Sequence, residues 1–96
     1  MVLEEIRRLK REKILSLASR HGASNIRVFG SVARGEASSS SDLDLLVELE
    51  PGRSLMDLGG FLMDVQRELG MRIDVATERM LRPEVRSRAL AEATPL

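Results

Sequence analysis

The run Asp42-Leu43-Asp44-Leu45-Leu46-Val47-Glu48-Leu49-Glu50 limits the possible folds more than any other stretch of the chain. Side chains alternate across a β-strand, so Leu43, Leu45, Val47 and Leu49 share one face. Asp42, Asp44, Glu48 and Glu50 project from the other. The apolar face must pack on a core, which demands neighbouring strands and a covering layer. Ile26-Arg27-Val28-Phe29 supplies one further strand, interrupted at Gly30, and Arg72–Ala76 another, with Ile73 and Val75 inward and Asp74 outward. The covering layer is helical. Val2 to Arg20 carries Leu3, Ile6, Leu9, Ile14, Leu17 and Ala18 near helical spacing and stops at His21-Gly22. Ser54 opens a second helix, with Asp57 as a capping-box analogue, an apolar set of Leu55, Leu58, Leu62, Val65 and Leu69, and Gly70 as the stop. Thr77 onward reads helical, restarts around Pro83 and fades by Thr94-Pro95. This order predicts an α/β fold: a small mixed sheet of at least three strands backed by helices. The 96 residues are expected to form a single domain, 1–96.

Composition narrows the function classes. Fifteen basic residues balance fifteen acidic ones, which argues against a bulk polyanion binder. Only two residues are aromatic, both Phe, so stacking platforms for single strands are nearly absent and direct nucleic-acid binding is not expected. There is no cysteine, hence no disulfide framework and no thiolate metal site. The start, Met1-Val2-Leu3-Glu4-Glu5, is acidic where a secretory signal is basic, and no apolar run approaches membrane-spanning length. A cytoplasmic protein without a membrane partner is the expectation.

Strands disfavour Asp, so Asp42 and Asp44 at the start of one call for an explanation. With Asp74 on a neighbouring strand, three carboxylates would share one surface. Two like charges 4 Å apart repel by about 4 kcal/mol at an effective dielectric near 20. Such a cluster must protonate, spread apart or bind a cation. One reading is a solvated strand face whose acids keep an edge soluble. The other is a site for Mg2+ or Mn2+, which take oxygen ligands and commonly share them with substrate phosphates. Gly30-Ser31 favours the second. A bare backbone and a hydroxyl at the end of one strand, beside carboxylates at the start of the next, suit a triphosphate and its metal.

Gly30-Ser31, ten intervening residues and Asp42-Leu43-Asp44 resemble the signature of the polymerase-β-type nucleotidyltransferase superfamily. The fuller string Gly30-Ser31-Val32-Ala33-Arg34-Gly35, then Ser41-Asp42-Leu43-Asp44-Leu45-Leu46-Val47, resembles its minimal nucleotidyltransferase branch, and Arg72-Ile73-Asp74-Val75 fits the strand that carries a third carboxylate. The likeness spans roughly residues 26–76 with no departure from the motif. It implies a polymerase-β-like fold and transfer of a nucleoside monophosphate, with ATP the expected donor, to a hydroxyl acceptor. Asp42, Asp44 and Asp74 would be the catalytic and metal-holding acids, with Asp74 a base toward the acceptor. Gly30 and Ser31 would hold the triphosphate. Arg34 would either reach a phosphate or cap the connection and face water, and Ser41 would cap or orient Asp42. The branch is commonly paired with a HEPN-domain toxin whose tyrosine it adenylylates, acting as antitoxin. Transfer to a small molecule such as an aminoglycoside, and neutralisation of a partner by binding alone, are the alternatives.

The remaining features have plainer expectations. His21 is expected to cap a helix end. The methionines are expected mainly as core filler, with an exposed, adaptable patch the alternative for Met56 and Met63. Arg7, Arg8, Lys10, Arg11 and Lys13 read as a solvated face. Gly59-Gly60 weaken their helix by roughly a kcal/mol each and so point to close packing or a bend.

Overall fold

The computed structural model describes residues 2–38 and 40–96. Helix α1 spans Leu3–Arg20, β1 Ala23–Phe29, the single-turn α2 Gly30–Ala33, β2 Leu43–Leu49, α3 Leu55–Leu69 and β3 Ile73–Ala76. A 3-10 turn at Glu78–Met80 leads to α4, Pro83–Glu92, and β4, Thr94–Pro95. The sheet order is β3-β2-β1-β4; β1 lies antiparallel to β2 and β4, and β2 parallel to β3. This is the mixed sheet that the alternation and element order predict.

Helices α1 and α3 pack against each other and against one face of the sheet. Ile6, Ile14 and Leu17 from α1 and Leu58, Phe61 and Val65 from α3 meet Val28, Leu43, Leu45, Val47 and Ile73 in one buried cluster. Phe61 is fully buried and stands at the centre of the α3 stripe, a position missing from the expected apolar set. Leu55, which that set included, is exposed in the first helical turn. Phe61→Ala is expected to cost about 3–5 kcal/mol, a large part of a small domain's stability. A denaturant melt should show the midpoint falling with little change in slope.

The helix stops behave as predicted. Ser54 and Asp57 form a reciprocal capping box, and Gly70 ends α3 in the left-handed conformation. The Gly60 position is explained by His21, because a Cβ there would stand 2.7 Å from the imidazole Cε1. His21 is more than a helix cap: its Nε2 lies 2.7 Å from Asp64 Oδ2, tying the end of α1 to α3. That contact holds the Asp64 carboxyl below its ordinary pKa.

Several expectations change. β1 begins at Ala23, three residues early, and passes through a bulge at Asn25, whose φ is 49°. A bulge admits one extra residue and sharpens the twist, so its apolar pattern breaks and hides the strand's start. The chain fading at Thr94-Pro95 instead becomes an edge strand, where proline's missing N–H costs nothing. Arg7 pins that strand through Thr94 Oγ1 and the Pro95 and Leu96 carbonyls, and Lys10 pairs with Glu68, so the basic stretch is only partly a solvated face. Leu9 is exposed, as are Met56 and Met63, which do not fill the core. Leu46, on the acidic face of β2, is fully buried between its cross-strand neighbours Arg27 and Ala76.

Candidate active site

Two pairings assemble the site. Parallel β2 and β3 set Asp44 directly opposite Asp74, and antiparallel β1 and β2 set Phe29 opposite Asp44. Glycine 30, next after Phe29, therefore arrives beside the Asp44 carboxylate. Its φ is +76°, and a Cβ there would overlap Asp44 Oδ2. The position needs glycine twice over, for its left-handed backbone and for the space.

Electrostatics show how closely the acids gather. Asp44 is pushed up to about 6, first by burial and then by the charges of Asp74 and Asp42, with Arg34 opposing. Asp42 sits just before β2, and its Oδ1 lies 2.9 Å from Arg72 Nε. That approach has ion-pair distance without hydrogen-bond alignment, so this carboxylate oxygen is buried with no hydrogen-bond partner. Among the described residues no three acidic or imidazole side chains are drawn in as tightly as the ligands of an ion. Asp74 is close enough to Asp44 to share a side-chain hydrogen bond with it, while Asp42 is engaged by Arg72. The donors are nonetheless all oxygen, the kind a hard divalent cation takes. One carboxylate oxygen lacks a hydrogen-bond partner, and burial and acidic neighbours disfavour the charged form of one carboxyl.

The other predicted residues surround this cluster. Ser31 is half-buried in α2, and its carbonyl accepts the Glu36 N–H at 2.9 Å. Arg34 closes α2, with Nε on Glu36 at 3.0 Å and Nη1 on both oxygens of Glu92 at 3.2 and 3.0 Å. It is thus tied to two acids rather than left facing water. Ser41 contributes to a tight turn: its Oγ accepts the Ser38 N–H at 2.8 Å, and its own N–H reaches the Ser38 carbonyl at 3.1 Å. Ser39, within the serine-rich connection, lies outside the described residues.

Glu92 was invisible to sequence reasoning. It ends α4, and its Oε1 accepts the Gly30 N–H at 2.8 Å. Burial pushes the Glu92 carboxyl up, but the Gly30 N–H and Arg34 outweigh it and the net pKa is lowered. A cavity of about 220 Å3 adjoins these groups, lined by Phe29, Gly30, Arg34, Val85, Arg88 and Glu92. A larger hollow, about 530 Å3, lies at the other end of β2, between Val47–Arg53 and Thr77–Arg79. It is set apart from the carboxylates, so size alone does not mark the chemistry.

Known proteins resemble this chain in sequence and in fold. The sequence profile of the family described as nucleotidyltransferase domain matches residues 9–96. A candidate protein adenylyltransferase of Methanocaldococcus jannaschii is 38% identical, covering 97% of this chain and 96% of its own length. The protein adenylyltransferase MntA of Thermococcus cleftensis is 34% identical, covering 96% and 93%. A solved structure described as a candidate minimal nucleotidyltransferase superposes with a TM-score of 0.86 at 52% identity, over all of this chain and 97% of that one. A toxin-antitoxin crystal structure with AMP-PNP shares the fold, with a TM-score of 0.75 at 18% identity over 91% of this chain and 72% of that one. With the strand-end glycine set against paired carboxylates and a family match over nearly its whole length, this chain belongs to the nucleotidyltransferase domain family, in its minimal branch.

Proposed function

We propose that this chain transfers AMP from ATP to a hydroxyl of a partner protein, a tyrosine of a HEPN-domain toxin, and so acts as an antitoxin. The observation that carries the chemistry is the register of Asp44 against Asp74 with Gly30 packed on the Asp44 carboxylate. The names of two relatives, one a protein adenylyltransferase and the other a candidate one, support the protein acceptor. A toxin-antitoxin crystal structure with AMP-PNP, one chain of which shares this fold, supports the donor and the kind of partner.

Asp42, Asp44 and Asp74 would hold Mg2+, or Mn2+, which neutralises the triphosphate and the charge that develops on transfer. Gly30 brings backbone close to the phosphates, Ser31 offers a hydroxyl donor and Arg34 a guanidinium. Ser41 braces the turn that delivers Asp42. Asp74 takes the proton of the acceptor hydroxyl as its oxygen bonds to the α-phosphorus. The bond to the bridging oxygen breaks, and pyrophosphate leaves with the electron pair. The reaction so proposed, with ATP as donor and a partner toxin as acceptor, would run in the cytoplasm. Among the described residues no helix is long and apolar enough to cross a membrane.

The acceptor is tested by incubating the chain and its co-purified partner with Mg2+ and ATP labelled at the α-phosphate. Label is expected on the partner polypeptide and, after digestion, on a tyrosine. Label confined to small molecules would transfer the reading to a small-molecule acceptor. Full neutralisation of the toxin by the double variant Asp42→Ala, Asp44→Ala would make binding alone the antitoxic mechanism.

A further inference from the structure

We propose that Glu92 is an internal stand-in for a phosphate: its carboxylate occupies the donors that the nucleotide's phosphates use, and nucleotide must displace it to bind. The inference rests on the phosphate-binding role given above to Gly30 and Arg34. Glu92 Oε1 accepts the Gly30 N–H at 2.8 Å, and both of its oxygens take Arg34 Nη1, at 3.0 and 3.2 Å. Carboxylate and phosphate oxygens make the same charge-assisted bonds to N–H groups and guanidinium. One N–H and one guanidinium nitrogen cannot serve two anions at once, and the two anions would repel. The Glu92 side chain is about one-fifth exposed and sits on the last residue of α4, so a change of rotamer carries it toward water without unwinding the helix. Arg34 keeps its second partner, Glu36, while this happens.

The exchange lowers apparent nucleotide affinity by the fraction of time the carboxylate is seated. Glu92→Gln keeps the shape and removes the charge. It is expected to bind Mg·ATP about three- to ten-fold more tightly than the unchanged chain, since a partly exposed pair holds its groups only modestly. Titration calorimetry on the full chain, with melting temperatures to confirm folding and Glu92→Ala as a second variant, reads this directly. A residue that only orients Arg34 gives the opposite sign, weaker binding in both variants. Binding by the unchanged chain with equal or weaker binding by the variants overturns the proposal and leaves the nucleotide site standing. No Mg·ATP binding by any of the three proteins overturns both. In the unchanged chain, the Glu92 carboxyl carbon resonance should move when Mg·ATP saturates the site. A resonance that stays in place counts against displacement whatever the variants do.

Discussion

Asp44→Asn is expected to abolish nucleotidyl transfer and, in metal-free buffer at pH 8, to raise the melting temperature. Both effects come from the same cause. Burial and the charges of Asp74 and Asp42 raise the folded-state pKa of Asp44 from 3.8 to about 6. A group raised on folding contributes its stability in full below its unfolded pKa and loses that contribution as pH climbs through the folded one. Between pH 4 and 6 the metal-free protein therefore gives up stability as Asp44 ionises against its neighbours. The shift is worth at most about 3 kcal/mol, and solvent reaching the half-buried carboxyl reduces that to about 1–2 kcal/mol. Removing the charge restores this, about 4–8 °C in melting temperature per kcal/mol for a domain of this size. Below pH 4 the variant and the unchanged protein should melt nearly together. Mg2+ should stabilise the unchanged protein and leave Asp44→Asn almost untouched. Activity should fall by at least about 10³-fold, because a neutral amide cannot replace a carboxylate where developing charge must be balanced. A variant melting lower than the unchanged protein at pH 8 would mean that these carboxylates do not crowd one another.

Gly30→Ala has the second largest expected effect, and Gly35→Ala is its built-in control. Both glycines have positive φ, +76° and +74°, and both substitutions incur the left-handed cost of about 1–2 kcal/mol. Only at Gly30 does the new Cβ meet anything, namely the Asp44 carboxylate; at Gly35 nothing lies within 4 Å. Gly35→Ala should thus lower stability by the conformational cost alone and leave turnover close to that of the unchanged chain. Gly30→Ala must also displace the Asp44 carboxylate from its place beside Asp74. A misplacement of about 1 Å costs roughly 100-fold in rate. Equal losses of activity in the two variants would show that Gly30 serves only its turn.

The site was legible because its parts obey local rules. Alternation along Asp42–Glu50 fixes the face of the acids, and the glycine stop, the short connection and the next strand put Gly30 near them. The assumed neighbour of β2 proved to be β3, paired so that Asp44 meets Asp74. The boundaries and long-range partners were not legible. The bulge at Asn25 hides the start of β1, and β4 is only two residues long and contains a proline. Leu46 falls on the same face as Asp44 and Glu48, yet it is fully buried with Arg27 and Ala76 as its cross-strand neighbours. Glu92 lies 58 residues beyond Arg34 in the chain, and no periodicity links an exposed-looking glutamate on α4 to a glycine at the end of β1. Tertiary placement alone makes it part of the site.

The central claim is that Asp42, Asp44 and Asp74 direct attack at the α-phosphorus of ATP. It is tested by supplying the chain and its partner with Mg2+ and ATP carrying distinct labels on the α- and γ-phosphates. The account predicts that the α label becomes covalently attached to the partner and the γ label leaves in pyrophosphate, with both signals lost in Asp42→Ala, Asp44→Ala. Transfer of the γ label to the partner, or attachment of the α label by the double variant, would contradict it.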